Sequence, residues 1–322
     1  MRVLVTGGGG YVGSALLKKL LERGYEVCSI DNLFRGSYAY VSNLKDSNGV
    51  KLLVGDICSL EDLEDDLNKV HFDAIVHLAA IPGLERCLKN PSRAVLTNIY
   101  GTYNILEFAR KNDVGKVVFS SSAAVYGEPI MTPIPEEHPL NPLNLYGVTK
   151  LAAEKLMHSY HRAYGLSTVI LRLGNVYGVG AYTYWETVIP KFVRQALRGE
   201  ALTIYGDGRQ SRDFIHVLDV VKAIELVLIS ENKLVGGDVF NVASGEPLSI
   251  NNLAKTVSEV VFEKLGREVN KVHLPPRSGE PSLPNFCLSI NKISDKLGFK
   301  ADWSVRDGIK QLVEYGLKTK LR

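Results

Sequence analysis

Tyr146-Gly-Val-Thr-Lys150 is the stretch best suited to chemistry, because a spacing of four puts a phenol and an ammonium one turn apart on one helix face. A neighbouring positive charge favours the ionised form of a tyrosine, which otherwise titrates near about 10. Lowered by a few units, the phenol becomes a base usable near neutral pH. About two dozen residues earlier, Ser120-Ser121-Ser122 closes an apolar run. A serine there can hydrogen-bond the substrate oxygen that Tyr146 deprotonates and hold it in line with a cofactor. Taken alone, the pair fits a solvated lysine beside a half-buried tyrosine, and the serine run fits a loop.

The elements that must position these groups begin at the N-terminus. Val3-Leu4-Val5 reads as a strand, Thr6 to Ser14 as a glycine turn, and Ala15 to Arg23 as an amphipathic helix. Gly7, Gly10 and Gly13 follow G-x-x-G-x-x-G, with Tyr11 and Val12 inside the motif, so the backbone can turn tightly and approach a pyrophosphate met by helix N-terminal amides. The next apolar run ends in Asp31-Asn32, eighteen residues past Gly13. A carboxylate there can accept both ribose hydroxyls of an adenosine and repel a 2′-phosphate, which favours NAD over NADP; Asp31 can also cap its own turn. Strand patterns recur at Val50–Val54, Ala74–Leu78, Lys116–Ser120 and Thr168–Leu173 between helical stretches. Such alternation predicts a doubly wound parallel sheet with ligands at the carboxyl ends of its strands. At those ends Asp56 and Ile57 can frame an adenine, while Leu78, Ala79 and Ala80 let a cofactor pass. His77, inside an apolar strand, reads as a hydrogen-bonded core histidine.

Composition narrows the partners. The chain has 322 residues, with 38 Lys+Arg against 35 Asp+Glu, and no basic block that would suit nucleic acid or a membrane surface. Small molecules are the expected ligands. Cys28, Cys58, Cys87 and Cys287 form no C-x-x-C pair, which argues against a disulfide framework or a metal site and for reduced packing residues in a cytoplasmic protein. There is no run of about 18 apolar residues and no cleavable leader pattern, so neither export nor membrane insertion is expected.

From about residue 182 the alternation loosens, and a smaller α/β lobe is expected over 176–322, with some chain crossing back to a first domain over 1–175. Pro190 to Leu197 reads as a helix, Leu202 to Val217 as a hairpin around Gly206-Asp207-Gly208, and Ser304 to Lys318 as a helix. Arg212 stands among apolar strand residues and needs an anion: either a salt bridge with Asp213 or Asp219, or a ligand. Arg277, between Pro275-Pro276 and Gly279, would be presented by a fixed loop. Two arginines converging on a diphosphate would give bidentate recognition.

Taken together, TGGGGYVGS, Asp31-Asn32, GDI, HLAA, SSSAAVYG and YGVTK resemble, in order and spacing, the extended short-chain dehydrogenase/reductase superfamily, in its sugar-nucleotide epimerase/dehydratase branch. The resemblance covers nearly the whole chain. It implies a Rossmann-type α/β fold, NAD as cofactor, a nucleotide sugar as substrate and a homodimer formed through helices spanning about 91–111 and 146–164. It implies a catalytic set of Ser122, Tyr146 and Lys150, and an active-site asparagine at Asn98. Arg212 and Arg277 would hold the substrate diphosphate and Glu280 would face its ribose. Ala123, Ala124, Asn175, Thr187, Val188, Thr203 and Tyr205 would also touch substrate. Dehydratases and decarboxylases of the branch carry an acid in the slots of Ala123 and Ala124, so the implied reaction is C4 epimerisation of a UDP-hexose, as between UDP-glucose and UDP-galactose. Open alternatives are a UDP-N-acetylhexosamine, a UDP-uronate or a GDP-sugar, or a nucleotide-sensing protein that keeps the fold without turnover.

Overall fold

The computed structural model describes residues 1–34, 36–39, 49–59, 61, 67, 69–181, 183, 185–276 and 285–319. Seven short apolar runs form one sheet: β1 (Arg2–Thr6), β2 (Glu26–Asp31), β3 (Val50–Val54), β4 (Ala74–His77), β5 (Lys116–Ser122), β6 (Thr168–Leu173) and, from far downstream, β10 (Val239–Val242). Their order is β10-β6-β5-β4-β1-β2-β3 and every neighbouring pair is parallel. The order reverses between β1 and β4, which opens a crevice at their carboxyl ends.

Both faces of this sheet are covered, so its strands carry apolar residues on each side. Val3, Val5, Val76, Val118, Val169 and Leu171 meet Leu16, Leu17 and Leu20 of α1 (Tyr11–Glu22) and Val220 and Ile224 of a later helix. Leu4, Ile75, Val117, Phe119 and Ile170 point the other way, onto Ile105 and Leu106 of α2 (Gly101–Lys111) and Met157 of α3 (Leu145–Tyr164). Alternation along each strand therefore decides which helix layer a side chain joins.

The remaining elements surround a separate apolar cluster. Helices α4 (Val188–Leu197), α6 (Ile250–Leu265) and α7 (Val305–Lys318) bury Phe192, Val257 and Leu312 against Ile204 of β8 (Leu202–Tyr205) and Phe214 of β9 (Ser211–His216), while α5 (Val217–Ile229) flanks the large sheet. The expected hairpin over 202–217 does not form. Gly206 and Gly208 do turn the chain at φ +72° and +70°. However, β8 pairs with β12 (Lys271–Leu274), and β9 lies between β7 (Asn175–Tyr177) and β11 (Pro247–Ser249). Turn chemistry reports a reversal; the strand edges were taken by partners from elsewhere in the chain. β10 returns to the large sheet beside β6.

Candidate active site

The glycine turn is built by close backbone approach. The Gly7 amide donates to Ile30 O at 2.7 Å and the Gly10 amide to Gly7 O at 3.0 Å. A Cβ on Gly13 would stand 2.1 Å from Gly7 O, so only glycine lets α1 start there. α1 begins without a side-chain cap and without an acid in its first turn. Its N-terminal partial positive charge therefore has no carboxylate of its own first turn to meet it.

One cleft gathers Gly7, Gly10, Tyr11, Val12, Gly13, Asp31, Asn32, Asp56, Ile57, Leu78, Ala79 and Ala80 with Ser122, Tyr146 and Lys150. Asp31 accepts the Gly9 amide at 3.0 Å and the Leu33 amide at 2.8 Å, so it caps its turn and lines the cleft at once. Burial pushes its carboxyl up, against those two amides. Asp56 accepts the Cys58 amide at 2.9 Å and Asn32 Nδ2 at 3.1 Å, and is ion-paired with Arg93. Burial pushes Asp56 up, but these partners outweigh it and hold the carboxyl below its usual range.

β5 delivers Ser122 in extended conformation, and its Oγ accepts the Ala124 amide at 3.2 Å across the turn Ala123–Val125. Asn144 caps α3 by accepting the Gly147 amide at 3.0 Å. A Cβ on Gly147 would lie 2.6 Å from Ala124 O, so the start of α3 is pressed onto the turn that follows Ser122. Close backbone packing thus brings Ser122 and Tyr146 to the same cleft. Lys150 is not solvated: it is 3% exposed, donates to Ser120 O at 2.7 Å and stands 4.6 Å above the Phe119 ring. Burial pulls its ammonium down to about 7, while Glu154 and Cys87 push it back up.

Other expected residues are placed differently. Asn98 lies one layer behind the cleft, where Oδ1 accepts the Ile81 amide at 2.7 Å and Nδ2 donates to Ile81 O and Thr149 Oγ1. It holds the Ile81 loop to α3. Ala123 is buried in an apolar cluster with Val125 and Tyr126, and Ala124 is the half-buried member of the pair. Thr102 Oγ1 donates to Asn98 O, so His77 Nε2–H donates to Thr102 and Nδ1 accepts from Thr6, as a core histidine does.

The other described substrate-side candidates are not among the residues lining this cleft. Asn175 Nδ2 donates to Asp213 O at 3.1 Å, Thr187 and Val188 open α4, and the Thr203 hydroxyl accepts Gln195 Nε2 at 2.7 Å. Tyr205 lies beneath Lys191 Nζ at 5.1 Å. Arg212 donates to Ser211 O at 2.7 Å. Asp213 faces away, accepting Ser244 Oγ at 2.6 Å and the Leu288 amide at 3.3 Å, while Asp219 accepts the Asp302 and Trp303 amides. Arg277 and Glu280 lie outside the described residues.

Known proteins resolve the class of site. The model of the NAD dependent epimerase/dehydratase family matches residues 3–243. The chain belongs to this family. It is 36% identical over 97% of its length to a putative UDP-glucose 4-epimerase of Methanocaldococcus jannaschii, covering 97% of that protein. A UDP-glucose 4-epimerase of Thermotoga maritima, solved with UDP-glucose, superposes with a TM-score of 0.88 at 33% identity, over 99% of this chain and 100% of that one. A dTDP-glucose 4,6-dehydratase of Streptomyces venezuelae, solved with NAD bound, gives 0.87 at 31% identity, over 99% and 98%. The protein is thus a sugar-nucleotide epimerase/dehydratase with NAD as its cofactor. The cleft fits that cofactor, with glycine clearance and uncapped amides for a pyrophosphate at one point and a carboxylate at the end of β2 for a ribose.

Three residues around the site were not anticipated: Arg93, paired with Asp56; Ile81, on the cleft wall; and Glu154, behind Lys150. Only Glu154 had a sequence signal, since it continues the spacing of four from Tyr146 through Lys150. Among the described residues, no helix is long and apolar enough to cross a membrane and no acid, His or Cys cluster could hold a metal ion.

Proposed function

We propose that the protein catalyses NAD-dependent C4 epimerisation of a UDP-hexose, interconverting UDP-glucose and UDP-galactose. One observation carries the choice of epimerisation over dehydration. Among the described residues lining the cleft the only carboxylates are Asp31 and Asp56, at the ends of β2 and β3, and Ala123-Ala124 follow Ser122. Eliminating water across C5–C6 needs an acid and a base beside the sugar; removing and restoring a proton at the C4 oxygen needs one group.

When bound, NAD supplies reversible two-electron oxidation at a carbon. Tyr146 takes the C4 hydroxyl proton as that carbon is oxidised and returns it when the ketone is reduced. Ser122 donates a hydrogen bond to the same oxygen, and buried Lys150 supplies the adjacent positive charge. Arg212, with Arg277, holds the diphosphate, so the ketone can present its other face without leaving. Residues to about 175 thus serve the cofactor and those beyond mainly serve the sugar nucleotide.

The chain acts in the cytoplasm as a homodimer on this reading. None of its four cysteines is in a disulfide, and Leu96, Tyr100, Tyr103, Val148 and Tyr164 leave an exposed apolar stripe on the expected helices. Light scattering that gives a monomer mass at micromolar concentration would remove the dimer. The functional test is incubation with a panel of UDP- and GDP-sugars followed by NMR. C4 inversion with catalytic NAD and no accumulating NADH is expected; a 4-keto-6-deoxy product, or NADH rising in step with product, overturns epimerisation.

A further inference from the structure

Behind the catalytic groups lies a buried ion pair that the chemistry above does not use. Glu154, 1% exposed, sits on α3 one turn beyond Lys150 and two beyond Tyr146. Its carboxylate accepts Ser121 Oγ at 2.5 Å and takes Arg172 in a fork, Nε at 3.0 Å and Nη2 at 2.8 Å. Arg172, 3% exposed near the end of β6, donates its third arm to Tyr126 Oη at 3.0 Å and Glu136 O at 2.8 Å. Tyr126 Oη in turn donates to Asn241 Oδ1 at 2.7 Å, on β10.

A buried pair of this kind is weak evidence of stability, because desolvating both charges offsets their attraction. Its geometry has a sharper use. The partners are Ser121, next to Ser122; Glu154, on the helix of Tyr146 and Lys150; and Arg172, two residues before Gly174 at the cleft. We propose that Glu154 is a positioning residue, whose carboxylate fixes the strand end of Ser122 to the helix of Tyr146 and Lys150 and is the negative charge that faces Lys150 from within the protein. The inference rests on the assignment of Ser122, Tyr146 and Lys150 made above.

The surroundings of Lys150 support the second part. From β4, His77 is neutral, since burial holds it down to about 3. From the helix Leu84–Lys89, Cys87 is fully buried and its thiol is pushed up by that burial, hence uncharged. From β5 come only the Phe119 ring and Ser120 O. On its own helix stand Tyr146 and Glu154, and beyond Glu154 is the Arg172 guanidinium. Removing the carboxylate leaves a buried guanidinium that repels the Lys150 ammonium; removing the guanidinium leaves a carboxylate that attracts it. The two deletions must act in opposite directions.

The test follows the Lys150 Cε resonance against pH in the full-length, NAD-loaded protein labelled with 13C-lysine, assigned with Lys150→Met. Glu154→Gln should move the midpoint to lower pH by at least about half a unit, and Arg172→Met should move it higher. Glu154→Gln should also lower kcat at least about tenfold with KM for the sugar nucleotide within about threefold, because the reacting groups are displaced and the substrate clamp is not. Midpoints that stay put, or move the same way in both variants, overturn the proposal. If a single variant fails to fold, the double variant Glu154→Gln/Arg172→Met carries the test, with a midpoint below the parent's expected and an unchanged one overturning. Failure of the parent to turn over any sugar nucleotide would sink the functional reading, while the titration would still decide the charge that Glu154 supplies.

Discussion

The two sides of the site are built by different means. On the cofactor side, backbone does most of the shaping: Gly7, Gly13 and Gly147 sit where a Cβ would strike a main-chain atom, and α1 offers amides without a side-chain cap. On the substrate side the described candidates are side chains on short strands and at a helix start, and some are already bonded to other parts of the chain, as Thr203 to Gln195 and Asn175 to Asp213 O. Backbone that must pass close to a ligand leaves a fixed glycine pattern in the sequence. Side-chain clamps leave only an arginine or threonine whose partner is decided by the fold. The two sides should therefore break separately.

Gly13→Ala should have the largest effect. Its Cβ would lie 2.1 Å from Gly7 O and 2.7 Å from the Gly8 Cα, so the turn must open and the amides leave the pyrophosphate. Two charge-assisted contacts at about 1.5 to 3 kcal/mol each put the loss of NAD affinity on the order of a thousandfold. UDP binding, measured by calorimetry, should stay within a few-fold. If both ligands are lost together, the two sides are not separate structures.

Tyr146→Phe removes one hydroxyl from the junction of the two sides. Turnover should fall at least about a hundredfold, with NAD content and UDP affinity unchanged. Residual turnover within a few-fold of the parent would take Tyr146 out of the mechanism.

Arg212→Ala tests the substrate side alone. One charge-assisted contact to a diphosphate contributes about 1.5 to 3 kcal/mol, so UDP affinity should drop by roughly ten- to a hundredfold while NAD is retained. Lost NAD with intact UDP binding would reverse the assignment of the two sides.

The same contrast explains what could be read in advance. The large parallel sheet, the glycine turn and the strand-end residues were legible because each is local: an apolar run, a tight turn, a carboxylate at a set distance. The 202–217 hairpin was misread because Gly206 and Gly208 encode a turn but not the strands that pair beside it. Lys150 looked no different from a surface lysine, since its burial depends on Phe119 and Ser120 being brought against it. Glu154 is the instructive case. It continues the Tyr146–Lys150 spacing, yet nothing local shows that Arg172 and Ser121 will converge on it.

Acid should reveal the smallest effect, because each side carries one histidine that is buried as the neutral base. His77 lies below the glycine turn between Thr6 and Thr102, held down to about 3 by burial and, less, by Lys150. His216 caps α5 by accepting the Leu218 amide at 3.3 Å, donates to Gln311 and stacks on Trp303, and burial holds it down to about 4 against that hydrogen bond. In the unfolded chain both titrate near about 6.5. The unfolded state therefore binds more protons between about 6.5 and those depressed values, so the stabilisation is complete above 6.5 and is lost as pH falls. Each histidine should contribute a slope of up to about 1.4 kcal/mol per pH unit in urea unfolding measured from pH 7 to 5. His77→Gln and His216→Gln should each remove about one such slope. If His77→Gln flattens the curve and His216→Gln leaves it unchanged, acid opens only the cofactor side, and the hydrogen bond to Gln311, which favours the protonated ring, offsets the burial of His216.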